Sequence, residues 1–178
     1  SDITLAYDDY LKNKNDPSGR KQLLEEAVRR DPGNAAFRTR LGELALAGKN
    51  TAEGVRWLES AVTLEPADPM ANAALGYYYR SHGQPERALG YLECARAAAP
   101  ADVGFRILLA DAYIDVGRNA DALATLAVCR NTDRAAKISF LRAKAYYNLQ
   151  DFGAANEAAR QALALDPAMN DARVYFIE

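Results

Sequence analysis

A pattern that returns every 34 residues limits this chain more than any other feature it carries. Leu41-Gly42 recurs as Leu75-Gly76 and, softened, as Leu109-Ala110. The same punctuation follows each doublet: Gly54, Leu58, Ala61 and Pro66 in one copy, Ala88, Leu92, Ala95 and Pro100 in the next, and Ala122, Leu126 and Cys129 in the third. A fixed period of this length describes a stack of like units, each with an apolar face that only its neighbour can cover.

Each copy reads as two helices, because apolar residues recur three and four apart in both halves: Leu75, Tyr78 and Tyr79 in one, Ala88, Tyr91, Leu92 and Ala95 in the other. Strand alternation is absent. With each copy counted from its first residue, positions 8, 20 and 27 carry small residues, as close helix–helix approach requires. Tyr79, Tyr113 and Tyr146 at position 11 are large knobs for the space between hairpins, and their hydroxyls need a partner or a wet rim. Second helices are expected near 18–30, 51–64, 85–98, 119–130 and 152–165. Gly48, Gly83 and Gly117 are expected to end first helices at positive φ, and Thr51 and Asn119 to cap second helices. Pro85 suits a first helical position, while Pro32, Pro66, Pro100 and Pro167 mark the exits of second helices.

The Leu-Gly doublet, the small residue twelve positions on and the closing Pro resemble the tetratricopeptide repeat family. On that resemblance the copies occupy 1–34, 35–68, 69–102, 103–135 and 136–169, with 170–178 as a partial capping helix. Ala143, Tyr146, Ala155, Ala162 and Pro167 supply the signature positions of the fifth copy. The resemblance covers essentially the whole chain. It implies an all-α fold, a right-handed α-solenoid (superhelix) of tandem helix-turn-helix hairpins forming a single array over 1–178. The short C-terminal end reads as that of a segment from a longer protein.

The end copies depart from the pattern. Asp8 and Arg20 stand at the close-contact positions of the first copy. Either they pair, or the helix shifts so that Ala6 takes the small position above a longer loop through Asn13-Lys14-Asn15-Asp16-Pro17. Because burying even a matched pair is costly, the shift is the expected arrangement. Arg130-Asn131-Thr132-Asp133 replaces the closing Pro of the fourth copy, one residue short, and is expected to bend the stack. Val174 and Ile177, three apart, give the final segment an apolar side for capping the last hairpin.

A net charge of −2 without a basic run argues against a nucleic-acid binder, which needs clustered Lys and Arg to neutralise phosphates. No apolar stretch approaches the roughly 18 residues of a membrane span. Cys94 and Cys129 read as small buried packing residues and His82 as a solvated turn residue. Neither a metal framework, a phosphate-binding loop nor a nucleophile with its own base is evident, so no cofactor, metal or enzyme activity is expected.

In the family resembled, first helices form the concave wall, lined at positions 2, 5, 6, 9, 12 and 13. Carried over, these become Thr39, Arg40, Glu43 and Leu46; Met70, Ala73, Tyr77 and Arg80; Ile107, Leu108, Asp111 and Ile114; and Lys137, Phe140, Leu141, Lys144, Tyr147 and Asn148. Aromatic anchors among a few charges suit a peptide-binding surface. Arg40, Glu43, Tyr77, Arg80, Leu108, Asp111, Phe140, Lys144 and Tyr147 are therefore the candidate partner-binding residues. Ile107, Leu141 and Ile114 either line the groove or pack against neighbouring helices. The clamp by which co-chaperones of this family grip a terminal carboxylate wants Lys and Asn where this chain has Thr39 and Glu43, so chaperone tails are not expected ligands.

The resulting expectation is a non-catalytic interaction scaffold holding an extended peptide or helix of another protein. The abundance of Ala suggests a GC-rich bacterial gene, and similar bacterial arrays serve in pilus and secretion assembly and in envelope polysaccharide export. The alternative is the recruiting domain of a larger enzyme. The chain begins Ser1-Asp2-Ile3 without a signal-like segment, which leaves bacterial cytoplasm and periplasm both open.

Overall fold

The computed structural model describes residues 2–129 and 133–176. Its α-helices are α1 (Asp2–Asn13), α2 (Pro17–Arg30), α3 (Ala35–Ala47), α4 (Thr51–Leu64), α5 (Pro69–Ser81), α6 (Pro85–Ala98), α7 (Val103–Asp115), α8 (Asn119–Ala127), α9 (Ala135–Asn148) and α10 (Phe152–Leu165). A short 3-10 helix follows at Asn170–Tyr175. No strand occurs among the described residues. Two compact units emerge, Ser1–Leu75 and Gly76–Glu178, the division falling within α5.

The turn inside each hairpin is set by one residue. Asn15, Lys49, Gly83, Gly117 and Gln150 have positive φ, and all stand at position 15 of their copies. The following amide donates back across the turn in each case: Asp16 to Leu11, Asn50 to Ala45, Gln84 to Tyr79, Arg118 to Tyr113 and Asp151 to Tyr146, at 2.8–3.0 Å. These bonds satisfy carbonyls that the end of a helix would otherwise leave unpaired. The expectation for Gly48 fails here. That residue is the C-cap of α3 at φ −77°, and Lys49 takes the left-handed conformation. Thr51 and Asn119 likewise lie inside their helices; the caps are Asn50 and Arg118. Asp16 and Asp151 do cap α2 and α10, accepting from the amides of Gly19 and Ala154.

In the first unit α3 and α4 meet at glycine. A Cβ on Gly42 would lie 3.0 Å from the Gly54 carbonyl and 2.5 Å from Leu58 Cγ, too close for either to remain in place. The same logic holds within the second unit, where a Cβ on Gly76 would meet Leu92 Cγ at 2.4 Å. Leu24, Leu58, Leu92 and Leu126, all at position 24, are fully buried. Position 27 is fully buried at Ala61, Ala95 and Ala162. Tyr79 and Tyr113 fill their sites as expected. Tyr79 stacks on Tyr91, centroids 5.6 Å apart, and the Tyr113 hydroxyl donates to Glu93 at 2.8 Å.

The first hairpin overturns the expected shift. Asp8 is completely buried and accepts two hydrogen bonds from the Arg20 guanidinium, at 2.8 and 3.1 Å, while Ala6 is exposed. The α1–α2 turn has the length of the others, so the register is unbroken. A bidentate pair occupies the place where later hairpins put two small residues, such as Ala110 and Ala122. The hydrogen bond to Asp8 raises the Arg20 pKa above its ordinary value, against the opposing effect of burial.

Three further expectations change. Cys94 is exposed, because position 26 points outward one residue before the contact at Ala95; Cys129 is buried. Helix α8 ends at Ala127 instead of near 130, and Arg142 donates to the Leu126 carbonyl at 2.8 Å, closing the early end. Residues 130–132 of the junction expected to bend the stack lie outside the described residues, as does Ile177. The final segment is a 3-10 helix rather than an α-helix, since six residues give little chance to propagate one.

Two stability predictions follow from this packing. Ala95→Leu is expected to cost about 1–3 kcal/mol by overpacking, whereas Ala99→Leu, at the half-exposed C-cap of α6, costs much less; equal shifts in denaturation midpoint would contradict the register. Asp8→Ala alone strands a buried guanidinium and should cost about 3–5 kcal/mol, while Asp8→Ala/Arg20→Ala should be less damaging than that single change. Urea titrations of the three variants test this, and a double variant weaker than the single one would show that the pair does more than satisfy itself.

Candidate functional site

In the second unit, first-helix residues three and four apart share one face of their helix. This places Tyr77 and Arg80 together on α5, Leu108, Asp111 and Asp115 on α7, and Phe140, Lys144 and Tyr147 on α9. Ion pairs tie the three helices together. Arg80 reaches Asp111 at 2.8 Å and Asp115 at 2.6 Å, and Lys144 reaches Asp115 at 3.1 Å and Asp111 at 3.8 Å. Two cations and two carboxylates thus neutralise one another across α5, α7 and α9.

The aromatics beside this ladder differ in their freedom. Tyr77 is 56% exposed, while Tyr79, two residues on, is 3% exposed in the core. Tyr147 is 46% exposed but rests its ring against Phe152 at 5.5 Å and Tyr175 at 5.3 Å. Phe140 is half-buried, 6.1 Å from Tyr175, with the Lys137 ammonium 4.8 Å from its centroid. The 3-10 helix therefore brings Phe140 and Tyr147 together through one tyrosine. Leu108 is half-buried. Ile107, Ile114 and Leu141 are buried, which resolves their alternative in favour of packing.

Arg40 and Glu43 belong to the first unit. Arg40 pairs with Asp9 at 3.0 Å. Glu43 lines an open cleft of about 370 Å³ with Leu5, Lys12, Arg40 and Met70. Burial pushes the Glu43 carboxyl up from its ordinary pKa, partly opposed by the charges of Arg40, Lys12 and Arg20. Thr39 is not available to a ligand: it is buried, and its hydroxyl donates to Asp68 at 2.7 Å. Ala73 is buried too, and Met70 is half exposed.

Asp115 and Tyr175 are the residues that sequence reasoning missed. Asp115 stands at position 13, four residues after Asp111, so the helical spacing that selected Asp111 also pointed to it. Tyr175 stands at position 6 of the segment after the fifth copy.

The tetratricopeptide repeat model matches residues 16–76 and 79–145, and a second model of the same repeat matches residues 136–169. The chain belongs to the tetratricopeptide repeat family. Solved structures of similar fold include YrrB, a TPR protein with an unusual peptide-binding site, at 19% identity and a TM-score of 0.81 over 96% of this chain and 89% of that one. PilW, a widely conserved type IV pilus biogenesis factor, matches at 14% identity and a TM-score of 0.78, covering 98% and 81%. MamA from Desulfovibrio magneticus RS-1 matches at 19% identity and a TM-score of 0.78, covering 95% and 96%. No curated protein sequence matches the chain. These neighbours share the α-solenoid fold. No described helix is long and apolar enough to cross a membrane.

Since Arg80 holds two carboxylates, Arg80→Ala should cost about 1 kcal/mol at low salt, discounted for partial exposure. The cost should shrink in about 0.5 M salt as screening weakens what remains. Thermal melts at both ionic strengths check it; a salt-independent loss would assign the effect to packing.

Proposed function

We propose that this chain is a non-catalytic interaction scaffold that binds an extended or helical segment of another protein along the first-helix faces. The observation that carries this reading is Tyr77, more than half exposed although Tyr79 already fills the core position of its helix. Packing therefore gives no reason for the second ring, whereas binding surfaces favour such rigid, amphipathic anchors. The charges around it are already paired within the protein, so they orient and discriminate more than they attract. YrrB, with its peptide-binding site, and PilW, a pilus biogenesis factor, have similar folds, which supports a bacterial assembly role such as pilus, secretion or envelope polysaccharide export.

The test begins with affinity capture from the native cell, using this chain as bait. Tyr77→Ala/Tyr147→Ala, checked for unchanged helicity, should weaken the captured partner by about thirtyfold or more, corresponding to about 2 kcal/mol. Wild-type binding by that variant, with binding lost in Arg87→Glu or Arg160→Glu on second helices, would move the site to the opposite face.

A further inference from the structure

Helix α9 breaks the repeat at a position that the copies before it keep apolar. Position 7 is Leu41, Leu75 and Leu109 in the three preceding copies, all buried; in the fifth it is Arg142, half-buried. The helix that Arg142 meets is also unlike the others. Helices α2, α4, α6 and α10 have fourteen residues each, whereas α8 has nine. Arg142 donates to the Leu126 carbonyl in the last turn of α8 at 2.8 Å. That carbonyl already accepts from the Cys129 amide at 3.1 Å, so it does not by itself require a cation. The bond also occupies only one of the five N–H donors of a guanidinium. Among the described residues Arg142 makes no ion pair.

The junction one repeat earlier shows what completes such a place. Tyr113, at position 11, donates its hydroxyl at 2.8 Å to Glu93, at position 25 of the copy before. Arg118 comes within 3.8 Å of the same carboxylate. One repeat on, the corresponding residues are Tyr146 and Ala127, so the acceptor is gone. Among the described residues the Tyr146 hydroxyl has no hydrogen-bond partner, and because no buried polar side-chain atom there lacks one, it reaches solvent. Ala127, Arg142 and Tyr146 line a single cleft of about 400 Å³, walled by Leu123, Ala154 and Ala158. Glu157, also on this cleft, is already committed, accepting from Arg160 at 2.8 Å and from Gln161 at 2.9 Å. The cleft therefore holds a cation and a hydroxyl donor without the carboxylate that its counterpart contains.

We propose that the cleft between α8, α9 and α10 binds an acidic side chain from a segment of another protein, with the Arg142 guanidinium and the Tyr146 hydroxyl as its donors. The ligand supplies at the α8–α9 junction the carboxylate that Glu93 supplies at the α6–α7 junction. A guanidinium forms its strongest hydrogen bonds to a carboxylate, and partial burial raises their worth over that of an exposed pair. The walls of Leu123, Ala154 and Ala158 favour an acid flanked by aliphatic residues. Arg142 lies two residues from both Phe140 and Lys144, about 200° round α9 from each. This site is therefore separate from the first-helix faces that carry the proposed function.

Amide chemical shifts of the isotope-labelled chain, titrated with the capped peptide N-acetyl-Leu-Glu-Leu-amide, test this. The peptide should shift Ala127, Arg142, Tyr146 and Ala158 saturably at millimolar concentrations. N-acetyl-Leu-Gln-Leu-amide should bind about tenfold or more weakly, having lost one charge-assisted pair. Ala127→Glu, at an exposed site, provides the missing carboxylate from the chain itself and should abolish binding of the Glu peptide. Arg142→Leu restores the residue type of the earlier copies and should lose that peptide by a similar factor; if it does not fold, the two peptides on the wild-type chain and the Ala127→Glu variant decide. Three results overturn the proposal: affinities for the Glu and Gln peptides within about twofold, unaltered binding by Ala127→Glu, or no saturable shift by about 20 mM peptide. Shifts confined to Tyr77, Asp111 and Lys144 would overturn it as well, while leaving the first-helix scaffold standing.

Discussion

Everything in these hairpins depends on how closely two helices approach at positions 8 and 20. In α3 and α4 the limiting contact is backbone against a missing side chain: Gly42 and Gly54 each leave only about the room a Cβ would need to touch the other's carbonyl. Such a contact fixes both distance and register, because sliding by one residue replaces a glycine with a bulkier side chain. Once the register is fixed, position 24 points into the hairpin, position 11 fills the gap beside it, and position 15 must reverse the chain. Repetition of the contact places corresponding faces of α5, α7 and α9 within reach of each other in the second unit, and the Arg80, Asp111, Asp115 and Lys144 ladder depends on that.

The departures from the pattern show which part of the constraint is strict. Position 8 can be Gly, Ala or Asp and position 20 Gly, Ala or Arg, provided that the pair is mutually compatible. Asp8 and Arg20 satisfy this with two hydrogen bonds in place of van der Waals contact, keeping the turn length of the other hairpins. The turn residue is similarly defined by conformation rather than type, since Lys49 and Gln150 adopt the left-handed state that Gly83 and Gly117 adopt more cheaply. A hairpin whose remaining contacts are sound tolerates that local strain.

Much of this was legible in the sequence. The second helices at Thr51–Leu64, Pro85–Ala98 and Phe152–Leu165 match their expected bounds, because small residues, turns and prolines mark both ends at once. What escaped was decided by pairs. No spacing rule says whether a buried Asp and Arg twelve residues apart will meet, and Gly48 attracted the turn because glycine is the easier residue there, although position 15 sets the geometry. The candidate site was legible in part. Positions 5, 6, 9 and 12 supplied the candidate residues, but Ile107, Leu141 and Ile114 stand at three of those positions and are buried, since a helix face that borders a groove also borders the next helix. Tyr175 was illegible because its partners, Phe140 and Tyr147, lie about one whole repeat earlier in the sequence.

If the chain binds a segment of another protein as proposed, the two units would offer it different chemistry. In the second, each carboxylate of the ladder already has a cation of the protein's own, so an incoming charged group meets a neutral surface and gains little. On that proposal recognition there would fall to shape and to the rings of Tyr77, Phe140 and Tyr147, the last two already engaging a tyrosine from the chain's own C-terminal segment. In the first, Glu43 sits in a cleft where burial disfavours its charge and where Lys12 and Arg40 offset that only in part. A carboxyl with a raised pKa is stabilised as an anion by any further cation brought to it. On the proposed reading the first unit would favour a basic group beside Glu43 and the second an apolar or aromatic one beside Tyr77.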